Sequence, residues 1–583
     1  MASSQRNDMT LEQILKAAED SHLAACFNLG NAAFTGCRFQ EAVEAYRTVL
    51  GLAPANLEAR NNLSRALQAL GQHVEALAIC RETLGIDPGE VDAYNIACAS
   101  ARALGLMDEA LGLLQRAAEL RPDYAITHSN LGSLLKDAGR MTDAIQSFRR
   151  ALELRPHDPI TQSNLAYSVN FLPGYDAAAI LRENQAWDRA HSLPRGDWSH
   201  HGNDPAPERR LRIGYVSPDF RDHCQSFFTI PLFAHHDHSQ FEIHCYASVP
   251  MPDAITRRIA GYADIWRNTA AMGDDEVAEW VRRDRIDILV DLTMHMANGR
   301  PRMFSRKPAP VQVAWLAYPG TTGLAAMDYR LTDPYLDPPG EHDGWYSETS
   351  IRLPDTFWCY DPLSTEPPPG PLPAFANDFI TFGSLNNFCK VTPAVLSTWA
   401  QVMKAVPGSR LLLLAQPGGQ RQRALEGLAA GGIQAERVDF LPFQPRPEYL
   451  ASYRRVDLGL DTFPCNGHTT SLDAYWMGVP VVTLIGATVV GRAGWSQLCN
   501  LGLPELAAAT QEDFVHIATE LALDRPRLAQ LRTMLRPRME ASPLMDGARF
   551  ARSLEAALRR MWRHWCLDST RARQQSAGRP ISL

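Results

Sequence analysis

The residues best suited to chemistry cluster between Asp461 and Pro480, where the chain reads Asp-Thr-Phe-Pro-Cys-Asn-Gly-His-Thr-Thr-Ser-Leu-Asp-Ala-Tyr-Trp-Met-Gly-Val-Pro. An apolar run, Val456 to Leu460, ends at Asp461, a Pro-Cys-Asn-Gly turn follows, and a helix-compatible run opens at His468. The first turn of a helix carries N–H groups without intrahelical partners and the positive end of the macrodipole, so a diphosphate can lie against His468, Thr469 and Thr470. Gly467 lets the backbone come close, the two threonines add hydroxyl donors, and His468 adds an imidazole donor. Asp473, one turn on, can accept two hydrogen bonds from a ribose diol. A phosphate site and a sugar acceptor on one helix describe a nucleotide pocket. The same residues would equally serve as a plain helix cap, with Asp473 complementing the dipole.

Such a strand, loop and helix needs a sheet to hold it, and the surrounding sequence supplies two. After a polar junction at 197–210, the short apolar runs 211–216, 241–246, 286–292 and 311–316 alternate with helix-like segments. A proline-rich stretch, Pro362 to Pro373, interrupts the pattern and reads as an interdomain linker. A second series then appears at 379–382, 411–414, 438–441, 456–460 and 479–484. Alternating β/α implies largely parallel sheets, whose ligands lie at the carboxyl ends of the strands. No Gly-x-Gly-x-x-Gly opens either half, which argues against a nicotinamide or flavin enzyme.

The N-terminal third has a different period. Pro54, Pro88, Pro122 and Pro156 are spaced by a constant step, and Ala42, Ala76, Ala110 and Ala144 keep it. This is the tetratricopeptide pattern of stacked helical hairpins, each closed by its proline. The units run 23–56, 57–90, 91–124 and 125–158, with a degenerate fifth to 192. Asn28, Asn62, Asn130 and Asn164 share one phase of the repeat, broken only by Ile96. Amides in a ladder can donate to and accept from an extended peptide without reading its sequence. Asn as a merely frequent residue at this position is the other explanation.

Composition limits the partners. With 583 residues, 45% apolar content and a net charge of −8, the chain is long enough for several cores, and nothing global favours nucleic acid or an anionic membrane. The 11 cysteines are scattered, odd in number and without Cys-x-x-Cys spacing, so they read as reduced thiols of a cytoplasmic protein. Met1 to Asp20 has no apolar core, and no stretch is long and apolar enough to span a bilayer, so neither a signal peptide nor a membrane segment is expected. His235-His236-Asp237-His238 is the densest cluster of ligand types, but successive loop residues do not converge on one ion, and no metal site is expected.

Cys465-Asn-Gly-His-Thr-Thr470, the later Asp473 and Gly478-Val-Pro480 resemble the donor-binding signature of the O-linked N-acetylglucosaminyltransferases, glycosyltransferase family 41. The resemblance extends from about Leu211 to the helix ending near Trp565, and the repeats before it match as well. It implies a tetratricopeptide superhelix followed by a GT-B region of two Rossmann-like domains. The expected organisation is a capping helix at 1–22, repeats at 23–192, a first Rossmann-like domain at 208–361, a linker at 362–376, a nucleotide-sugar-binding domain at 377–568 and a mobile tail at 569–583. The final helical run, 547–565, is expected to pack back on the pair.

The implied activity is inverting transfer of N-acetylglucosamine from its uridine diphosphate carrier to Ser or Thr of proteins, the acceptors being held in the repeat groove. No cofactor or metal is expected. Run 473–481 resembles the second half of the paired-glutamate motif of retaining GT-B enzymes, but Cys465 stands where the first glutamate would fall, which argues for inversion. The resemblance places Lys390 on the family's catalytic lysine, neutralising the departing diphosphate. Asn387 stands where animal members carry Gln. Gln444-Pro445-Arg446 resembles the loop that contacts the base through its backbone, and Tyr449 replaces a His that stacks on uracil. His223 in Asp-Phe-Arg-Asp-His matches the histidine proposed as general base, a role the donor phosphate can also fill. His295 in Asp-Leu-Thr-Met-His ranks behind it, because Met294 replaces the usual Gly. Tyr318-Pro-Gly-Thr-Thr-Gly323 matches a further loop near sugar and acceptor. The alternatives are a protein O-fucosyltransferase using GDP-fucose on the same plan, and a repeat scaffold with a degenerate transferase.

Overall fold

The computed structural model describes residues 11–194, 198, 201–364 and 368–577. They form two compact units, one ending at Leu134 and one running from Leu135 onward.

The first unit is built from antiparallel helix pairs: Leu11–Thr35 with Phe39–Leu52, Leu57–Ala69 with His73–Ile86, and Val91–Ala103 with Met107–Leu120. The step in sequence has a direct packing cause. Ala42, Ala76 and Ala110 have no exposed surface, because any larger side chain would push the paired helices apart. Each second helix stops two residues before its proline. The turn inside each pair needs a left-handed residue, supplied by Gly71 and Gly105 at φ +76° and, in the first pair, by Cys37 at φ 56°. Exposed ion pairs, Arg47 with Glu75 and Arg81 with Glu109, repeat along the array and add well under about 1 kcal/mol each. The separate capping helix expected at 1–22 is corrected: 11–22 is the start of the continuous helix Leu11–Thr35, and 1–10 lie outside the described residues.

The second unit holds two parallel sheets. The first contains β1 (Leu211–Ser217), β2 (Phe241–Ala247), β3 (Ile265–Asn268), β4 (Ile288–Asp291), β5 (Val311–Ala314), β6 (Tyr329–Thr332) and β7 (Thr349–Arg352) in the order β3-β2-β1-β4-β5-β6-β7. The second contains β8 (Thr381–Ser384), β9 (Arg410–Leu414), β10 (Val438–Leu441), β11 (Leu458–Leu460), β12 (Val481–Leu484) and β13 (Ala507–Ala508) in the order β10-β9-β8-β11-β12-β13. Strands β3, β6, β7 and β13 are not expected from the sequence: they are short or only partly apolar and carry little periodic signal. In both sheets the order reverses beside the first strand, at β1/β4 and β8/β11, which is where an open α/β sheet leaves a crevice.

The last helices of the repeat region, Met141–Leu154, Pro159–Ser168 and Ala177–His191, lie in the second unit. Trp187 is buried in the same cluster as Val216, Met303 and Leu324 of the first sheet domain. The structure moves two expected boundaries. The last helix, Gly547–Ala577, packs on the first sheet domain, with Phe550 stacked on Trp315 at 5.5 Å, Glu555 bonded to His236 at 2.9 Å and the Trp562 indole donating to the Ala206 carbonyl. The second sheet domain therefore does not extend to 568. The tail expected at 569 is helical as far as 577, and 578–583 lie outside the described residues. Of the expected linker, 365–367 lie outside the described residues. The remainder of the linker is tied down: Arg532 donates to the Pro369 and Gly370 carbonyls, and Asp457 accepts the Ala374 N–H at 2.8 Å. Among the described residues no helix is long and apolar enough to cross a membrane.

Gly323 shows how closely the repeat-derived helices fit the first sheet domain. It sits at φ +74°, and a Cβ there would lie 2.3 Å from the Asn184 backbone. Gly323→Ala therefore combines left-handed strain with overlap against a helix backbone, and is expected to cost about 2–5 kcal/mol. The urea midpoint of the second unit should fall accordingly.

Candidate functional site

The turn before the helix Thr469–Trp476 is shaped from within. Asp461, at the carboxyl end of β11, accepts the N–H groups of Thr462 (2.8 Å) and Gly467 (2.7 Å) and the Thr483 hydroxyl (2.7 Å). Asn466 donates to the Thr462 carbonyl at 2.9 Å and receives the Gly494 N–H. Gly467 is required by space: a Cβ would meet the Ser471 hydroxyl at 2.3 Å. The polar groups of the turn are thus spent inward, and Thr469 and Thr470 are left lining a cavity of about 430 Å³. Lys390, in the short turn Phe388–Lys390 after β8, reaches the same place, its ammonium donating to the Asn466 carbonyl at 2.5 Å. Burial, with Lys390 nearby, pushes His468 down to about 3, so its ring is neutral, with Nε2 turned to the Val490 carbonyl at 3.5 Å.

The cavity collects most of the residues singled out in the sequence. His223, Asn387, Lys390, Gln444, Arg446, Tyr449, His468, Thr469, Thr470 and Asp473 all line it, while Pro445 is the residue that caps the helix Arg446–Ser452. Lys390 follows β8, His468 follows β11 and His223 follows β1, so three strand ends at the two switch points converge. His223 lies 3.7 Å from Asp219, and burial lowers its pKa against the opposing pull of that carboxylate. The Gln225 N–H donates to His223 Nδ1 at 3.3 Å, which leaves the proton of the neutral ring on Nε2.

Asp473 departs from expectation. Its carboxylate is already engaged: Arg446 clamps both oxygens at 2.6 and 2.7 Å, and the Tyr360 hydroxyl donates to Oδ1 at 2.6 Å. Only part of its acceptor capacity remains for a ribose diol. The Arg446 guanidinium is thus engaged within the protein, and Phe227 of the first sheet domain lies 4.2 Å beneath it. Nothing in the local sequence pairs positions 446 and 473, because the contact depends on how two loops fold together.

His295 is not brought to the cavity with the other site residues. It is 1% exposed, outside the cavity lining, and spent on structure: its Nε2 meets the Thr322 carbonyl at 2.7 Å and its Nδ1 the Ser163 hydroxyl at 3.1 Å, with Trp187 at its edge. The preceding Met294, where a Gly is usual, holds φ 52° and is buried, its N–H bonded to Asp291. The asparagine ladder is also partly spent. Asn62 donates to Asn31 and Asn130 to Asn95, whereas Asn28 is exposed and Asn164 half-buried. Asn28, Asn62 and Asn130 lie in the first unit and Asn164 in the second. Sequence reasoning missed Asn386, which accepts the Thr470 hydroxyl at 2.6 Å, and Tyr453, which bonds both the Tyr449 hydroxyl and the Thr470 carbonyl. Asn386 adjoins Asn387 in a polar turn after a strand, and that position is the signal that could have found it. Among the described residues no group of three or more His, Cys, Asp or Glu is arranged to hold a metal ion.

The sequence matches Glycosyl transferase family 41 over residues 177–364 and 372–554, and tetratricopeptide repeats over 27–91 and 100–159. The chain belongs to glycosyl transferase family 41. Family relatives include the tomato (Solanum lycopersicum) "Probable UDP-N-acetylglucosamine--peptide N-acetylglucosaminyltransferase SPINDLY", 40% identical over 66% of this chain and 42% of the relative. The Arabidopsis thaliana protein named SEC, with the same enzyme description, is 32% identical over 61% of this chain and 38% of its own length. The chain thus spans about two fifths of the length of the curated relatives it matches. A solved structure of a mutant O-GlcNAc transferase from Thermobaculum terrenum is 38% identical, with a TM-score of 0.83 over 88% of this chain and 99% of that one. The family's fold, repeats followed by two Rossmann-like domains, is the fold described above.

His295 gives a pH prediction. Burial holds it at about 4 in the folded chain, against about 6.5 unfolded, so between these values the unfolded state binds the extra proton. Its contribution to stability is complete above about pH 6.5 and falls by about 3 kcal/mol as pH drops toward 4. Urea titrations across that window should show the slope, and His295→Gln should lessen it.

Proposed function

We propose that this family member transfers N-acetylglucosamine from UDP-N-acetylglucosamine to Ser or Thr hydroxyls of cytoplasmic proteins, with inversion. The observation that carries the reading is the meeting of an open helix N-terminus at Thr469 and Thr470 with the Lys390 ammonium in one cavity, and His223 opposite them. The donor and the peptide acceptor follow the enzyme names of the SPINDLY and SEC relatives.

In this reading the diphosphate lies on the N–H groups of Thr469 and Thr470 and the Thr469 hydroxyl, while the Thr470 hydroxyl is held by Asn386. The acceptor oxygen attacks C1 of the sugar as the bond from C1 to the diphosphate oxygen breaks, and the bonding electrons leave with UDP. Lys390 stabilises the charge that develops there, and it is oriented for that by the Asn466 carbonyl. No metal is required, since the cation and the helix terminus together carry this charge. His223, with its proton on Nε2, fits an orienting donor to the sugar or acceptor oxygen, and the acceptor's proton then goes to an oxygen of the departing diphosphate. Cys465 lies buried where a retaining enzyme's glutamate would stand, its thiol directed to the Asn466 carbonyl. Protein acceptors bind the repeats, with Asn28, Asn62, Asn130 and Asn164 as the contact residues and Asn62 and Asn130 exchanging partners as a peptide arrives.

The test is donor-dependent nucleotide release in the presence of protein acceptor. UDP release from UDP-N-acetylglucosamine should exceed GDP release from GDP-fucose, and Lys390→Ala should lower the first by roughly a hundred- to a thousandfold with UDP affinity changed far less. Preferential GDP release would replace the sugar. Equal rates in the unaltered chain and the variant would favour a repeat scaffold.

A further inference from the structure

Phe443 has no role in the mechanism above, yet it is 63% exposed and lines the donor cavity. A phenylalanine left exposed beside a ligand cavity gains burial when a flat group covers it. It stands two residues beyond the end of β10, in Leu441-Pro-Phe-Gln-Pro445, with prolines at 442 and 445 on its two sides. Both prolines fix φ, and the Gln444 amide oxygen accepts the Ser452 hydroxyl at 3.0 Å, so the ring is presented on a stiffened loop. Tyr449 lies on the helix after this loop and lines the same cavity, with its hydroxyl anchored by Tyr453 at 2.9 Å.

We infer that Phe443 is a second aromatic platform for the nucleotide base, closing over the ring from the outer side while Tyr449 supports it from within. This inference rests on the donor-site reading. Both aromatics belong to the sheet domain that carries the phosphate-binding helix, whereas the first sheet domain contributes His223 and Tyr318 to the cavity. The planar group within reach of Phe443 is therefore the base of the donor, and an acceptor side chain is less well placed. Stacking reads the face of the ring and not its edges, so the contribution is to affinity for any base, and discrimination falls to the loop backbone.

Calorimetry with UDP, GDP and inorganic pyrophosphate tests this on the full chain. Phe443→Ala, at a mostly exposed position, should weaken UDP roughly ten- to a hundredfold and leave pyrophosphate binding unchanged. Phe443→Trp should keep UDP affinity and show fluorescence quenched by UDP but not by pyrophosphate. If the unaltered chain binds UDP and Phe443→Ala binds it equally well, or loses pyrophosphate in parallel, the platform is refuted and the donor site stands. If the unaltered chain binds neither UDP nor GDP, the donor-site reading fails and the platform with it.

Discussion

One buried carboxylate, Asp461, holds the geometry on which the rest depends. It gathers two backbone N–H groups and a hydroxyl from Thr462, Gly467 and Thr483, bending the chain between β11 and the helix Thr469–Trp476 into a closed knot. Burial raises its pKa to about 6, and the three donors are what keep it charged near neutral pH. Hydrogen bonds to a charged group are worth about 1.5–3 kcal/mol each, enough to hold a turn that glycine alone would leave loose. Because the turn satisfies itself internally, the helix keeps its first N–H groups for something else.

The rest of the second unit brings partners to that helix tip. Two parallel sheets place their switch points toward a shared cavity, so β1, β8 and β11 each deliver a loop with a distinct chemistry: an imidazole, an ammonium and an open helix N-terminus. Side chains from both sheet domains cross the cavity. Tyr360 and Phe227 hold Asp473 and Arg446 from one side, and the Trp358 indole meets the edge of His468 at 5.8 Å. Any further donor to Asp473 must therefore compete with contacts that join the two sheet domains. The final turns of the repeat region enter the same unit, where Tyr167 lines the cavity and packs on Tyr318.

The features legible in the sequence are those whose physics is short in range. The repeats are visible because one packing constraint, an alanine between paired helices, recurs at a constant step. The cleft helix is visible because glycine, histidine and threonine at a strand end have a local purpose. His295 looks catalytic in the sequence for the same reason, a histidine after a strand, but its partners Ser163, Thr322 and Trp187 come from distant segments, and only the folded chain shows it to be a strut. Likewise the Arg446–Asp473 pair, the Asn386–Thr470 bond and the docking of the last helix on the first sheet domain join residues far apart in sequence, where no periodicity reports them.

The central claim is that the tip beginning at His468 receives the donor diphosphate. A crystal structure of the full chain with UDP tests it most directly. The predicted result is phosphate oxygens within hydrogen-bonding distance of the Thr469 and Thr470 N–H groups, with the Lys390 ammonium beside the terminal phosphate. Nucleotide density bound elsewhere, with that helix tip solvated, would contradict it.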